Sequence, residues 1–164
     1  MATHWHTTQQ LTCTQMLAKL SAEYGTYVTN NRYFFCYDPV KLVSIFNVMR
    51  NGGKYHTHVG KYKVSRVRDL TTPGYDSATS DNKPTFPVSS GTQMITYFFD
   101  EVNAIATLRG SGTEPKLKYY VEMNNGGDAS KDRDSIKAEL DALLEAIIDQ
   151  LLQPSHNGLE KPKD

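Results

Sequence analysis

The stretch from Lys131 to Leu152 constrains this chain most. Ile136, Leu140, Leu143, Leu144, Ile147, Ile148, Leu151 and Leu152 recur at helical spacing along one stripe. A helix with such a stripe draws its stability from an apolar partner rather than from propensity. That partner lies just upstream in the sequence. Leu117, Tyr119, Val121 and Met123 alternate with Lys116, Lys118, Tyr120 and Glu122. Ala104, Ala106 and Leu108 alternate with Ile105, Thr107 and Arg109. Alternation sends successive side chains to opposite faces of a strand. Met94 to Phe99 and Ala104 to Leu108 therefore form a hairpin across Asp100 to Asn103. Pro154 ends the terminal helix.

Earlier segments complete the pattern. Tyr33 to Tyr37 reads as an aromatic strand. Asp38-Pro39 is an N-cap followed by proline at the first helical position. The helix it opens runs to about Arg50, with Val40, Val43, Phe46 or Ile45, and Met49 expected inside, and Asn51-Gly52-Gly53 ends it. Lys54 to His58 is a loop, Lys61 to Leu70 a strand, and Asn124 to Ser130 a turn. Thr71 to Gly91 carries three prolines and two glycines and reads as a long surface loop. Strand, helix, several antiparallel strands and a last helix predict an α+β fold, one antiparallel sheet with helices on one face.

Leu11 to Gly25 is a further helix. Thr12 and Gln15 form a capping box, with Leu11 and Met16 placed as a hydrophobic staple. Met16, Leu17, Leu20 and Tyr24 share a face, and Gly25 stops the helix. Residues 1–10 are polar and expected to fray. His4, Trp5 and His6 have no third metal ligand nearby, and His56 and His58 have no carboxylate or thiol close by. No metal site is predicted at either place.

Formal net charge is zero, which argues against nucleic-acid binding by bulk electrostatics. The distribution is uneven. From Pro39 to Arg68 there are seven Lys or Arg and no acid, whereas from Asp100 onward there are 13 acids and eight bases. The basic segment is either a solvated face or the positive wall of a site for an anion. Cys13 and Cys36 read as reduced thiols, since no signal peptide is expected and the sequence holds no Asn-x-Ser/Thr acceptor. No apolar run reaches the length of a membrane span. A cytoplasmic location without membrane contact is the expectation.

Arg109-Gly110-Ser111-Gly112-Thr113-Glu114-Pro115-Lys116-Leu117-Lys118 joins two strands. Gly110 and Gly112 let backbone N–H groups approach an anion, because no Cβ intervenes. Ser111 and Thr113 add O–H donors. Arg109 adds a planar fork that matches two phosphate oxygens. Pro115 stiffens the exit and keeps Glu114 out of the helical region. Lys118, on the next strand, reaches back toward the same anion. The alternative is a glycine-rich hairpin loop with a surface arginine.

This decapeptide resembles the phosphate-binding loop of the α-D-phosphohexomutases, the phosphoglucomutase and phosphomannomutase superfamily. Further runs carry the same resemblance: Val67-Arg68-Asp69-Leu70-Thr71-Thr72, Gly74-Tyr75-Asp76-Ser77, Gln93-Met94-Ile95-Thr96, Lys116 to Glu122 and Leu152-Gln153-Pro154-Ser155. They look like the C-terminal part of the eukaryotic phosphopentomutase, phosphoglucomutase and glucose-1,6-bisphosphate synthase branch. Lys118, where many members carry arginine, and Pro73 depart from the pattern. The resemblance implies a TATA-box-binding-protein-like last domain, the fourth of the family. It implies Arg109, Gly110, Ser111, Gly112, Thr113 and Lys118 as ligands of a substrate phosphate, with Glu114 and Pro115 organising the loop. Glu114 is expected to organise the loop or to pair with Lys116 or Lys118.

The family's phosphoserine loop, its Asp-x-Asp-x-Asp metal loop and its Gly-Glu-x-Ser-Gly sugar loop are absent. Ser155-His156-Asn157-Gly158 lies after the terminal helix without the following proline, and Asp132-Arg133-Asp134 lacks a third carboxylate. The chain is thus expected to hold no catalytic and no metal-binding residue. Residues 1–30 are expected to close a preceding domain, 31–155 to form the phosphate-binding domain, and 156–164 a tail. For the longer protein the resemblance implies mutase activity on a hexose or pentose phosphate, with Mg²⁺ and a sugar bisphosphate activator, neither bound by this chain. The missing N-terminal domains are the implied partner. The competing reading is a stand-alone phosphate-binding or protein-interaction module without catalysis.

Overall fold

A computed structural model describes residues 11–128 and 130–162. The frayed start and the His4-Trp5-His6 cluster lie outside the described residues. In chain order the elements are α1 (Cys13–Tyr24), β1 (Tyr27–Phe35), α2 (Pro39–Arg50), β2 (His58–Val59), β3 (Tyr62–Lys63), β4 (Arg66–Asp69) and β5 (Tyr75–Asp76). There follow β6 (Met94–Phe99), β7 (Ala104–Gly110), β8 (Lys116–Asn124), α3 (Arg133–Ile147) and the short α4 (Pro154–Asn157). The architecture is α+β. Six strands form one sheet in the order β1-β8-β7-β6-β4-β5, and every pairing is antiparallel. β2 and β3 make a small separate hairpin.

Alternation decides which face is buried. Ala104, Ala106, Leu108 and Gly110 of β7 are buried, as are Leu117, Tyr119, Val121 and Met123 of β8. These join Ile95, Tyr97 and Phe99 of β6 and the apolar residues of α2 and α3 in one core. Ile136, Leu140, Leu143, Leu144 and Ile147 of α3 are all buried. The helical chain then widens into a π turn over Ile148–Leu152, which leaves Ile148 half-buried while Leu151 and Leu152 stay inside. Pro154 ends this run and also opens α4, after Gln153 adopts φ 44°.

Several boundaries differ from the sequence reading. The aromatic strand begins at Tyr27 rather than Tyr33 and pairs with β8 along its whole length. Thr29 to Arg32 within it are polar, so hydrophobicity alone does not mark its first half. The basic strand expected over Lys61 to Leu70 is broken between β3 and β4, where Val64 N–H donates to Thr57 O at 2.8 Å. The long loop contains β5, and its Thr71 and Asp76 are buried.

On α2 the apolar face is rotated from the expected one. Val40 is 75% exposed and Val43 42% exposed, whereas Ile45, Phe46 and Met49 are buried. Leu42 packs beside them. Leu42, Ile45, Phe46 and Met49 make the i, i+3, i+4, i+7 stripe that meets the sheet.

The capping box of α1 is present: Thr12 N–H donates to Gln15 Oε1 at 2.8 Å, and Gln15 N–H to Thr12 Oγ1 at 3.2 Å. α1 nevertheless buries no residue, and Leu17 and Tyr24 are each 65% exposed. At the other end Leu159 is buried, and Glu160 exchanges backbone hydrogen bonds of 2.8 and 3.2 Å with Phe35. This extends the sheet edge beyond β1.

The two faces of α2 give a direct check by urea unfolding. Phe46→Ala should cost about 3–5 kcal/mol. Val40→Ala should stay within about 0.5 kcal/mol of the parent.

Candidate functional site

β7 and β8 place the candidate loop at one end of the sheet. Their register sets Arg109 opposite Lys118 and Gly110 opposite Leu117. Arg109 and Lys118 therefore share the face of the sheet opposite the one that Leu108 and Leu117 turn into the core. Arg109 is exposed, and among the described residues its guanidinium makes no ion pair or hydrogen bond. Lys118 Nζ lies 3.2 Å from Glu114 Oε2, and Lys116 Nζ lies 2.6 Å from Glu114 Oε1. Lys116 also sits over the rings of Tyr33 and Phe35, at 4.3 and 5.6 Å from their centroids. One carboxylate thus straddles two ammonium groups. Hydrogen bonds from Lys116 first, then Lys118, hold the Glu114 carboxyl below its ordinary value of 4.5.

The two glycines play different parts. Gly110 is the buried last residue of β7, and a Cβ there would lie 2.9 Å from Leu42 Cδ2. It is small because α2 packs on it. Its N–H donates to Gln93 O at 2.9 Å, and Ser111 N–H donates to Lys116 O at 2.9 Å. Those two amides, expected to wrap an anion, are committed to the hairpin. Among the described residues Gly112 and Thr113 N–H and the Ser111 and Thr113 hydroxyls carry no hydrogen bond. Pro115 accepts a hydrogen bond from Cys36 N–H at 2.8 Å, which pins the loop exit to the chain after β1.

Beneath the loop lies a network that sequence reasoning missed. Asp69 is 2% exposed. Its carboxylate accepts from Arg50 Nε at 2.7 Å, Tyr55 Oη at 3.1 Å and Thr71 N–H at 2.8 Å. Arg50 Nη2 also donates to Gln93 Oε1 at 2.7 Å. Gln93 thus joins the buried ion pair to Gly110. Burial first, then the Asp69 charge, raises the Tyr55 hydroxyl well above its ordinary value. A signal was legible: Asp69 falls in phase with buried Val67 on β4.

The basic segment does not form one positive wall. Arg50 pairs with Asp69 and Arg68 with Asp76, each at 2.7 Å. Lys61 pairs with Glu139 at 3.3 Å, and the Arg66 guanidinium lies 3.5 Å from the Phe98 centroid. His56 Nε2 contacts Val48 O at 3.1 Å and His58 Nδ1 contacts Thr57 Oγ1 at 3.2 Å. Among the described residues no group of three or more His, Cys, Asp or Glu is placed to hold a metal ion. Cys13 is exposed, Cys36 is buried, and both are free.

Two measurements test this geometry. The Glu114 carboxyl should titrate below the ordinary carboxylate range in a carbon-detected NMR titration. Its folded value is lowered, so the lysine ties persist above that range and are lost as pH falls through the lowered value. Asp69→Ala should cost about 3–5 kcal/mol in urea unfolding, because it leaves a largely desolvated guanidinium without its partner.

No protein-family model matches the chain. Curated relatives do. Glucose 1,6-bisphosphate synthase of Homo sapiens is 43% identical over 155 residues, a match that takes in 93% of this chain and 24% of that protein. Phosphopentomutase of Homo sapiens is 39% identical over 160 residues, 96% of this chain and 26% of that protein. A probable phosphoribomutase of Schizosaccharomyces pombe is 36% identical over 159 residues, 94% of this chain and 26% of that protein. The chain spans about a quarter of the length of these relatives. The chain belongs to the phosphohexomutase-type proteins, in the group that holds phosphopentomutase and glucose-1,6-bisphosphate synthase.

Proposed function

We propose that this chain is the C-terminal, substrate-phosphate-binding part of a phosphosugar mutase, an isomerase of carbohydrate metabolism. The observation that carries the reading is the end of the β7–β8 hairpin. There an unpaired Arg109 guanidinium stands across from Lys118, beside a turn whose Gly112 and Thr113 amides and Ser111 and Thr113 hydroxyls are uncommitted. Relatives named as phosphopentomutase and glucose 1,6-bisphosphate synthase support it. In this reading residues 1–30 close a preceding domain, 31–155 form the fourth, TATA-box-binding-protein-like domain, and 156–164 are the tail.

The chemistry of these residues is positioning and charge neutralisation. Arg109 meets two oxygens of the phosphate that is not reacting, and Lys118 adds a point charge. Ser111, Gly112 and Thr113 supply the neutral donors. Gly110 gives the loop its close seat on α2, and Glu114 and Pro115 hold its shape. In this reading the groups that would supply the phosphoryl transfer, a phosphoserine, Mg²⁺ and a sugar bisphosphate activator, would be held by other domains of the longer protein. The described residues of this chain bring no three His, Cys, Asp or Glu together to hold the metal. The proposed ligand is a hexose or pentose phosphate and the proposed partners are the other domains of the same protein. The proposed location is the cytoplasm, without contact to nucleic acid or membrane. Among the described residues no helix is long and apolar enough to cross a membrane.

Binding of glucose 1-phosphate to this chain should be weak, on the order of millimolar, because one loop supplies only part of a site. In an NMR titration the Gly112 and Thr113 amides should shift, and Arg109→Ala should remove the response. The chain alone should stay at background in a coupled mutase assay. In the longer protein Arg109→Ala should cost roughly 2–4 kcal/mol of transition-state stabilisation, read as kcat/KM. Lys118→Ala should cost less, since lysine lacks the bidentate fork.

A further inference from the structure

Two short loops of like composition meet where β6 begins and β7 ends. Ser90-Gly91-Thr92-Gln93 leads into β6, and Ser111-Gly112-Thr113-Glu114 leads out of β7. The antiparallel register, with Met94 opposite Arg109, sets them side by side. They approach closely: a Cβ on Gly112 would lie 3.4 Å from Thr92 Cγ2. They are also tied, since Gly110 N–H donates to Gln93 O at 2.9 Å.

The upstream loop is held at both ends. Ser89 N–H donates to Leu70 O at 2.9 Å, and Ser89 O accepts from Thr72 N–H at 2.9 Å. At the other end Gln93 Oε1 accepts from Arg50, whose charge Asp69 balances. Within the loop, Gly91 N–H and the Thr92 hydroxyl both donate to Ser89 Oγ, at 3.1 and 3.4 Å. Among the described residues the Ser90 hydroxyl and the Ser90 and Thr92 amides make no hydrogen bond. The segment Ser89 to Gln93 carries no charge of either sign.

We propose that the anion site is built from both loops, with Ser90 and Thr92 as further ligands of the same phosphate group; this rests on the phosphate-binding reading of Ser111 to Thr113. A phosphate monoester presents three terminal oxygens, each able to accept more than one hydrogen bond. The guanidinium of Arg109 and the tip of one hairpin cover one side of it. The Ser90-Gly91-Thr92 tip borders that hairpin and offers neutral donors on the adjoining side. Neutral N–H and O–H groups suit this place, because they bind an anion without a second buried charge to desolvate. The Arg50–Asp69–Gln93 anchor keeps the two tips at fixed spacing.

The test uses this chain, titrated with inorganic phosphate and with glucose 1-phosphate against potassium chloride of equal ionic strength. Amide shifts of Ser90, Gly91 and Thr92 should saturate together with those of Gly112 and Thr113. The double variant Ser90→Ala/Thr92→Val keeps the methyl group beside Gly112 and removes both hydroxyls. It should bind phosphate about tenfold more weakly with an unchanged unfolding midpoint. Shifts confined to Gly112 and Thr113, with parent-like binding by the variant, overturn the second loop and leave the first intact. Shifts confined to Ser90 through Thr92 overturn both the shared site and the assignment of the Ser111 loop. Silence in both loops overturns both. The shift map of the parent chain decides these outcomes even if the variant folds poorly.

Discussion

A carboxylate at 2% exposure holds this molecule in register. Asp69 ends β4, and its oxygens collect a guanidinium from the last residue of α2, a hydroxyl from Tyr55 and the amide of Thr71. A buried charge is tolerated only when such partners replace water. Satisfying Asp69 therefore fixes where α2 ends, how the chain turns after Asn51-Gly52-Gly53, and how the long loop leaves β4. Through Gln93 the same network reaches the first residue pair between β6 and β7, on which the candidate site rests.

Much of this was legible before any coordinates. The α3 stripe, the alternation in β7 and β8 and the hairpin between β6 and β7 follow from period alone. The Thr12 capping box and the Asp38 N-cap, which accepts from Val40 N–H at 2.8 Å, follow from local chemistry. The misread parts share a cause. The first half of β1 holds the polar run Thr29 to Arg32 and becomes strand because β8 offers a complete hydrogen-bonding edge. On α2 two overlapping apolar stripes exist, and only the sheet surface, with Gly110 leaving room for Leu42, selects between them.

Of the candidate site, the sequence showed the loop's composition but not its internal commitments. Glycine in a phosphate-loop pattern suggested backbone donors. Gly110 instead serves packing, and its amide belongs to Gln93. The supporting residues Arg50, Tyr55, Asp69 and Gln93 lie far apart in sequence and converge only through topology, so no local motif could announce them. The basic run from Pro39 to Arg68 failed as a surface for the opposite reason. Its residues are neighbours in sequence but are dispersed over α2, the β2–β3 hairpin and β4, where Arg50, Lys61, Arg66 and Arg68 each meet an acid or aromatic partner of their own.

The position of Glu114 between Lys116 and Lys118 has a consequence for how this loop handles ligands. The loop carries an internal counter-ion. On the proposed reading, an arriving phosphate would displace a carboxylate already at Lys118 rather than meet a bare ammonium, so the step would be an exchange of anions. Exchange lowers net affinity, because each new contact replaces an old one. It also makes departure easy, since the carboxylate closes over the lysines as the ligand leaves. On the proposed reading a grip of this kind suits a phosphate that must be held firmly enough to be oriented and then let go, and between ligands Glu114 offsets part of the charge of Lys116 and Lys118.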